Sequence, residues 1–201
     1  MKIASCCTRS SAKTAERMAP LYVVLLHHPV YDKHGQVVAT AVTNMDVHDL
    51  ARIAKTYGLC GVFIATPVRA LRLLAEKILE HWKTGFGAEY NETRREALAL
   101  VHTVVDLDGA VLEVERAAGE RPILVATSAK AGLNRTSFAD LRHRLRQVAA
   151  PHLLILGTGW GLTAEILDRA DLVLEPIRGP AEYNHLPVRA AAAIMLDRLL
   201  R

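Results

Sequence analysis

Apolar residues along this chain follow two alternating rhythms. Short continuous runs recur at Leu21–Leu26, Gly61–Ala65, 98–105, 122–128, 152–156 and 172–175. Runs of this kind predict strands covered on both faces, as in a parallel sheet. Between them, apolar positions return every three or four residues. Val47, Leu50, Ala51, Ala54 and Tyr57 predict one helix, capped by Thr43 or Asn44 and closed by Gly58. Leu71, Leu74, Ala75, Ile78, Leu79 and Trp82 predict a second, with Thr66 as its cap, Pro67 in its first turn and Gly85 and Gly87 at its end. Residues 91–97 predict a short polar helix, and Asp106 caps another that ends at Gly119. Ser137-Phe138-Ala139-Asp140 resembles a capping box, opening a helix packed through Phe138, Leu141, Leu145 and Val148. A short helix is predicted over 162–169 and a final one from Pro187 to the end. Residues 31–36 read as a polar loop turning at Gly35, and 37–42 as a short extended segment. Strands alternating with helices predict an α/β fold: a single domain with a parallel sheet and helices on both faces.

Composition narrows this picture only a little. The 201 residues suffice for one domain with a real core. A net charge of +4 permits a polyanionic partner without demanding one. No apolar run approaches the roughly 20 residues a membrane helix needs, so no membrane partner is expected. Cys6, Cys7 and Cys60 lack metal spacing, and their odd number argues against a disulfide framework. No metal site is expected, and a cytoplasmic location is the simplest reading. Residues 1–19 lack hydrophobic periodicity and read as a disordered leader to a domain spanning 20–201, with Met18 a candidate natural start.

The chemistry concentrates near the C-terminus. Leu153-Leu154-Ile155-Leu156-Gly157-Thr158-Gly159-Trp160-Gly161-Leu162 runs from a strand into a glycine-rich loop. Leu174-Glu175-Pro176-Ile177-Arg178-Gly179 does the same, and Tyr183-Asn184-His185-Leu186-Pro187-Val188-Arg189-Ala190 leads into the last helix. Loops at the carboxyl ends of parallel strands are where open α/β sheets bind ligands. Gly157, Gly159 and Gly161 permit close backbone approach or positive φ, although a Gly-x-Gly-x-Gly alone is weak and equally describes a plain turn.

In their order and position, these segments resemble motifs of the SPOUT superfamily of S-adenosylmethionine-dependent RNA methyltransferases. The likeness extends over nearly everything after Pro20. Its ribose-methylating branch also has an early Asn-x-Gly-x-x-x-Arg-x-Ala-x-x-x-Gly. This chain has Asp46-x-His48-x-x-x-Arg52-x-Ala54-x-x-x-Gly58, matching at Arg52, Ala54 and Gly58 and departing at Asp46 and His48. The resemblance implies a C-terminal deep trefoil knot whose loops hold S-adenosylmethionine. It also implies a homodimer with the active site near the interface, and RNA, either tRNA or rRNA, as substrate.

Site roles follow residue by residue. Leu156, Gly157, Gly159, Gly161, Ile177, Gly179, Leu186 and Val188 are candidates to surround the cofactor, joined by Thr127, Arg178 and Asn184. Trp160 could stack on adenine, stack on an RNA base, or merely cover the loop. Glu175 could bind the cofactor or be a structural carboxylate paired with Arg178, and Asn184 could simply cap the last helix. Arg52, Asp46 and His185 are the candidate catalytic groups, with the base left open among Asp46, Arg52 and a histidine. His48 and Arg52, four residues apart, are expected to share a solvated helix face with Asp49 and Lys55. Arg135, Arg142, Arg144 and His28 are candidate RNA contacts, though charges on helices are usually only solvated. Two rivals remain: an inactive RNA-binding scaffold of the same fold, and an unknotted nucleotide- or flavin-binding module. The second leaves the Glu-Pro-Ile-Arg-Gly segment unexplained.

Overall fold

A computed structural model describes residues 18–201. The disordered leader expected over 1–19 falls mostly outside the described residues. At the first described residues, Ala19 is buried and its amide donates to Leu145 O at 2.8 Å, while Met18 packs against the core.

Six parallel strands form the sheet in the order β5-β4-β1-β7-β6-β8. They are β1 (Leu21–Leu26), β4 (Gly61–Ala65), β5 (Val101–Val104), β6 (Ile123–Ala126), β7 (His152–Gly157) and β8 (Leu172–Val173). The small antiparallel hairpin of β2 (Val30–Tyr31) and β3 (Val37–Val38) lies between β1 and the first helix. Helices α1 (Asn44–Tyr57), α2 (Arg69–Lys83), α4 (Glu92–Leu98), α6 (Phe138–Gln147) and α8 (Val188–Leu200) cover one face of the sheet. Helices α5 (Leu107–Ala118) and α7 (Ala164–Asp168) cover the other, and α3 (Phe86–Tyr90) follows α2. The all-apolar β1 serves both layers: Leu21, Val23 and Leu25 face the first, and Tyr22, Val24 and Leu26 the second.

Most local expectations match. Thr43 caps α1 in a full capping box with Asp46, and Gly58 closes it at φ 69°. Asp106 and Ser137 cap their helices as expected, and Asn91, read as the first residue of its helix, is instead the cap of α4. The opening of α2 differs. Its cap position is Val68, without a side-chain cap bond, and Thr66-Pro67 forms the preceding turn. The Thr66 hydroxyl accepts the Val68 amide at 3.3 Å, and the Arg72 guanidinium takes the Thr66 carbonyl at 2.7 Å.

Strand register carries the functional consequence. Leu26 pairs with Gly157, Ala126 with Ile155 and Val173 with Ala126. The loops after β1, β6, β7 and β8 therefore leave the sheet at one edge. Strand order also diverges at the β1–β7 pair, with β4 and β5 on one side and β6 and β8 on the other. Such a switch point leaves a crevice between diverging connections.

Candidate functional site

The hairpin shapes the glycine-rich loop. Tyr31 donates its amide to Gly161 O at 2.9 Å and accepts the Trp160 amide at 2.8 Å. An isolated bridge joins Val30 to Leu162, and the Tyr31 hydroxyl accepts the Ala164 amide. Gly159 (φ 58°) packs so tightly that a Cβ there would lie 2.7 Å from Tyr31 O. At Gly157 a Cβ would lie 2.8 Å from Leu162 Cδ2. By contrast, a Cβ at Gly161 or Gly179 would meet nothing within 4 Å. The backbone is thus pinned on the hairpin side and borders open space at Gly161 and Gly179, as a ligand approaching main-chain atoms requires.

Beneath the loop runs a polar chain. Thr158 Oγ1 donates to Leu26 O at 3.1 Å and lies 2.6 Å from Thr40 Oγ1, which lies 3.1 Å from His27 Nδ1. His27 is fully buried and burial lowers its pKa. His28, half-buried, is the member of the His27-His28 pair nearer solvent.

Other predicted residues gather at the same edge. Thr127 is buried and donates its hydroxyl to Ile155 O at 2.9 Å. Leu156 is buried, while Ile177 and Val188 are half-buried against the core. Arg178 and Gly179 are exposed, and Leu186 is largely so. Asn184 does not cap α8, whose cap position is Pro187; its Nδ2 donates to Ala129 O at 3.0 Å and ties two loops together. Glu175 Oε1 accepts the Phe138 amide at 2.8 Å, so it caps α6 from outside that helix. Glu175→Ala is expected to cost about 1 kcal/mol of stability, measured by urea denaturation. A variant as stable as the parent would deny the cap any weight.

Asp46 is buried and committed. Its Oδ2 accepts the Thr43 amide at 3.1 Å and the Thr43 hydroxyl at 2.6 Å, and its Oδ1 meets Arg189 Nη1 at 3.3 Å. Arg189 Nε reaches Asp49 Oδ2 at 3.2 Å, so one guanidinium on α8 clasps two carboxylates on α1. His48 is a correction. It is buried, not solvated, with its ring 5.3 Å edge-on from Trp82, because α2 and α4 pack over that side of α1. Arg52 is exposed and lines a groove of about 510 Å³ between α1 and α8, with Ile53, Tyr57, Ala190 and Ala193. His185 stands beside Tyr183 and Trp160, with ring centroids 5.2 and 6.2 Å away.

The candidate RNA footprint is not gathered. Arg135 folds back on its own loop, Nη2 reaching Lys130 O at 3.4 Å. Arg142 reaches Arg201 O at 3.2 Å. Arg144 sits near the C-terminal end of α6, toward the end of β7 where His152 begins, and its charge reaches that histidine. Both helical arginines thus lie toward the opposite edge of the sheet. Tyr31, Thr40 and Arg189 were missed as site-shaping residues. The one available signal was Asp32-x-x-Gly35, a turn signature that marks a hairpin but not what it presses on.

A parallel sheet with pinned glycine loops at its switch point defines an α/β protein with a candidate ligand crevice there, and comparison with known proteins narrows that class. The family model for SAM-dependent RNA methyltransferases matches residues 20–201. The chain belongs to that family, as the SPOUT resemblance implied. It is 43% identical over 180 residues to a tRNA (guanine-N(1)-)-methyltransferase of Oleidesulfovibrio alaskensis, covering 90% of this chain but 42% of that protein. The chain thus spans less than half the length of that relative. An uncharacterized protein of Aquifex aeolicus is 36% identical over 179 residues, covering 89% of this chain and 87% of that one. The SpoU methyltransferase AviRb of Streptomyces viridochromogenes, solved in complex with the cofactor AdoMet, shares the fold at TM-score 0.54 and 19% identity, covering 92% of this chain and 58% of that one. Among the described residues, no helix is long and apolar enough to cross a membrane, and no cluster of metal-ligating side chains is present.

Proposed function

We propose that this chain transfers the methyl group of S-adenosylmethionine to a nucleotide of RNA, as a homodimer with a C-terminal trefoil knot. The observation that carries the reading is the convergence of four loops on one edge, with Gly159 pinned and Gly161 and Gly179 open. Backbone at Gly157, Gly161, Ile177 and Gly179 suits the edge of an adenine, and Leu156, Ile177 and Val188 its faces. When bound, S-adenosylmethionine supplies an electrophilic methyl group to an in-line nucleophile. The chain's residues orient the acceptor, exclude water and take up the acceptor's proton.

The α1–α8 groove suits a second copy of the chain. Its lining mixes polar groups, Asp49, Thr56 and Arg189, with Ile53, Ala190 and Ala193; the two alanines permit close helix packing, and Arg52 on its wall would then face the other copy's loops. With Asp46 held by Thr43 and Arg189, Arg52 is the better candidate to act on the acceptor. The tRNA-methylating relative favours tRNA as substrate and the cytoplasm as the place of action. Its length leaves the acceptor atom open between a base nitrogen and a ribose hydroxyl.

The test pairs calorimetry with S-adenosylhomocysteine, NAD and FMN with radiolabelled methyl transfer to RNA from a strain lacking the gene. Saturable binding of S-adenosylhomocysteine alone, with label entering RNA, is expected. Arg52→Ala is expected to slow transfer about 100-fold while leaving S-adenosylhomocysteine affinity within about twofold. Binding without transfer would favour the scaffold reading, and binding of NAD or FMN alone would favour the nucleotide module.

A further inference from the structure

The loops that border the proposed cofactor site carry an unusual surface. Trp160 is 57% exposed and Tyr183 77% exposed. Large aromatic rings in a folded protein usually bury most of their area, so two exposed ones, each next to His185, call for a reason. Looseness is not the reason at Trp160. Its amide is bonded to Tyr31 O, and it stands between Gly159 at φ 58° and Gly161 at φ 104°, a backbone course that holds the side chain outside the loop. The Tyr183 segment is tied down as well, through Asn184 and the Ala129 carbonyl. His185 joins the two rings, edge-on to each. Three rings from two separate loops thus form one continuous exposed surface.

We propose that Trp160, His185 and Tyr183 are a stacking platform for an unpaired RNA base beside the methyl-transfer site. The proposal rests on the reading of the chain as an RNA methyltransferase. An adenine held by the cofactor loops needs an enclosed slot, and rings exposed to this degree do not make one. A base of a large polyanion suits them better. Exposed Lys130 follows the carbonyl that Asn184 holds, and exposed Arg178 precedes the same turn, so cations lie on the loops that carry the rings. Unpaired bases are the parts of RNA that splay out and stack on aromatic side chains, whereas duplex bases remain stacked on each other. The substrate class is therefore single-stranded or loop RNA.

The experiment measures fluorescence anisotropy of a fluorescein-labelled 12-nucleotide oligo(A) RNA and of a 12-base-pair RNA duplex, with calorimetry of S-adenosylhomocysteine alongside. Tyr183→Ala and Trp160→Ala are each expected to weaken oligo(A) binding about tenfold. Tyr183→Phe should restore most of it, and duplex binding should change less than oligo(A) binding. Tyr183→Ala should leave S-adenosylhomocysteine affinity unchanged. Oligo(A) binding equal to the parent's in both alanine variants, or absent from the parent, would overturn the platform. So would Tyr183→Phe as weak as Tyr183→Ala, loss of S-adenosylhomocysteine binding with Trp160→Ala, or a change of oligomeric state on gel filtration. Failure of the parent to bind S-adenosylhomocysteine, with ring-dependent oligo(A) binding intact, would refute the methyltransferase reading and leave the platform standing.

Discussion

Gly159→Ala is expected to reduce S-adenosylhomocysteine binding at least tenfold while leaving the sheet folded. Two costs coincide at this position. A left-handed backbone costs an L-residue roughly 1–2 kcal/mol. The added Cβ would also lie 2.7 Å from Tyr31 O, a backbone atom that cannot swing away as a side-chain tip can. The hairpin must then retreat, and the Trp160 amide loses the acceptor that fixes the loop. Gly119→Ala supplies the control. Gly119 is also left-handed, at φ 84°, but it closes α5 with nothing within 4 Å of its Cβ position. It should lower the melting temperature without touching ligand affinity. Calorimetry on both variants, with melting curves, separates the effects. If Gly159→Ala bound S-adenosylhomocysteine within twofold of the parent, the pinned loop would not be the binding element.

Legibility in the sequence differed between the sheet and the site, for a physical reason. Strands buried on both faces must be apolar at every position, and Leu21–Leu26 could hardly have been anything else. Caps were equally visible, because Thr43, Asp106 and Ser137 stand where orphan amides need acceptors. Glycines in the β7 loop were legible as special, but not their partner. Tyr31 meets them across more than a hundred residues, and a two-residue strand carries no periodicity. His48 shows how helix faces mislead. Its neighbours Asp49 and Arg52 are polar, so the face looked solvated; α2 and α4 packing over that side of α1 buried it against Trp82. Asp46 and Glu175 show the limit for carboxylates. Each looked chemical, and each is hydrogen-bonded to a helix start: Asp46 to that of its own helix, three residues after Thr43, and Glu175 to that of α6, which begins nearby only in space.

Acid is expected to destabilise the protein steeply below about pH 6.5, through His27 and His152. Both are fully buried. Burial pushes both below the ordinary histidine value of 6.5; Asp46 partly opposes this at His27, and the Ala150 carbonyl and Asp171 oppose it at His152. The His152 Nδ1 lies 2.9 Å from the Ala150 carbonyl and its Nε2 has no hydrogen-bond partner among the described residues, so protonation there creates a buried donor with no acceptor, while at His27 the Ala41 carbonyl partly offsets the cost. The unfolded chain takes up protons near pH 6.5 while the native chain resists. Stability is therefore fully present above 6.5 and falls as pH drops toward the lowered native values. Each histidine contributes up to about 1.4 kcal/mol per pH unit within that window. Melting temperatures from pH 7.5 to 5.0 should show the decline, and His152→Leu should flatten it; an unchanged slope would remove His152 from the account. The two histidines differ in what else they disturb. His152 begins β7, at the edge away from the loops, and acts on stability alone. His27 ends the chain through Thr40 to Thr158, so its protonation also loosens the glycine loop. S-adenosylhomocysteine affinity in His152→Leu should therefore hold through that window and weaken only below it, where His27 protonates in the native chain and the support beneath Thr158 is disturbed.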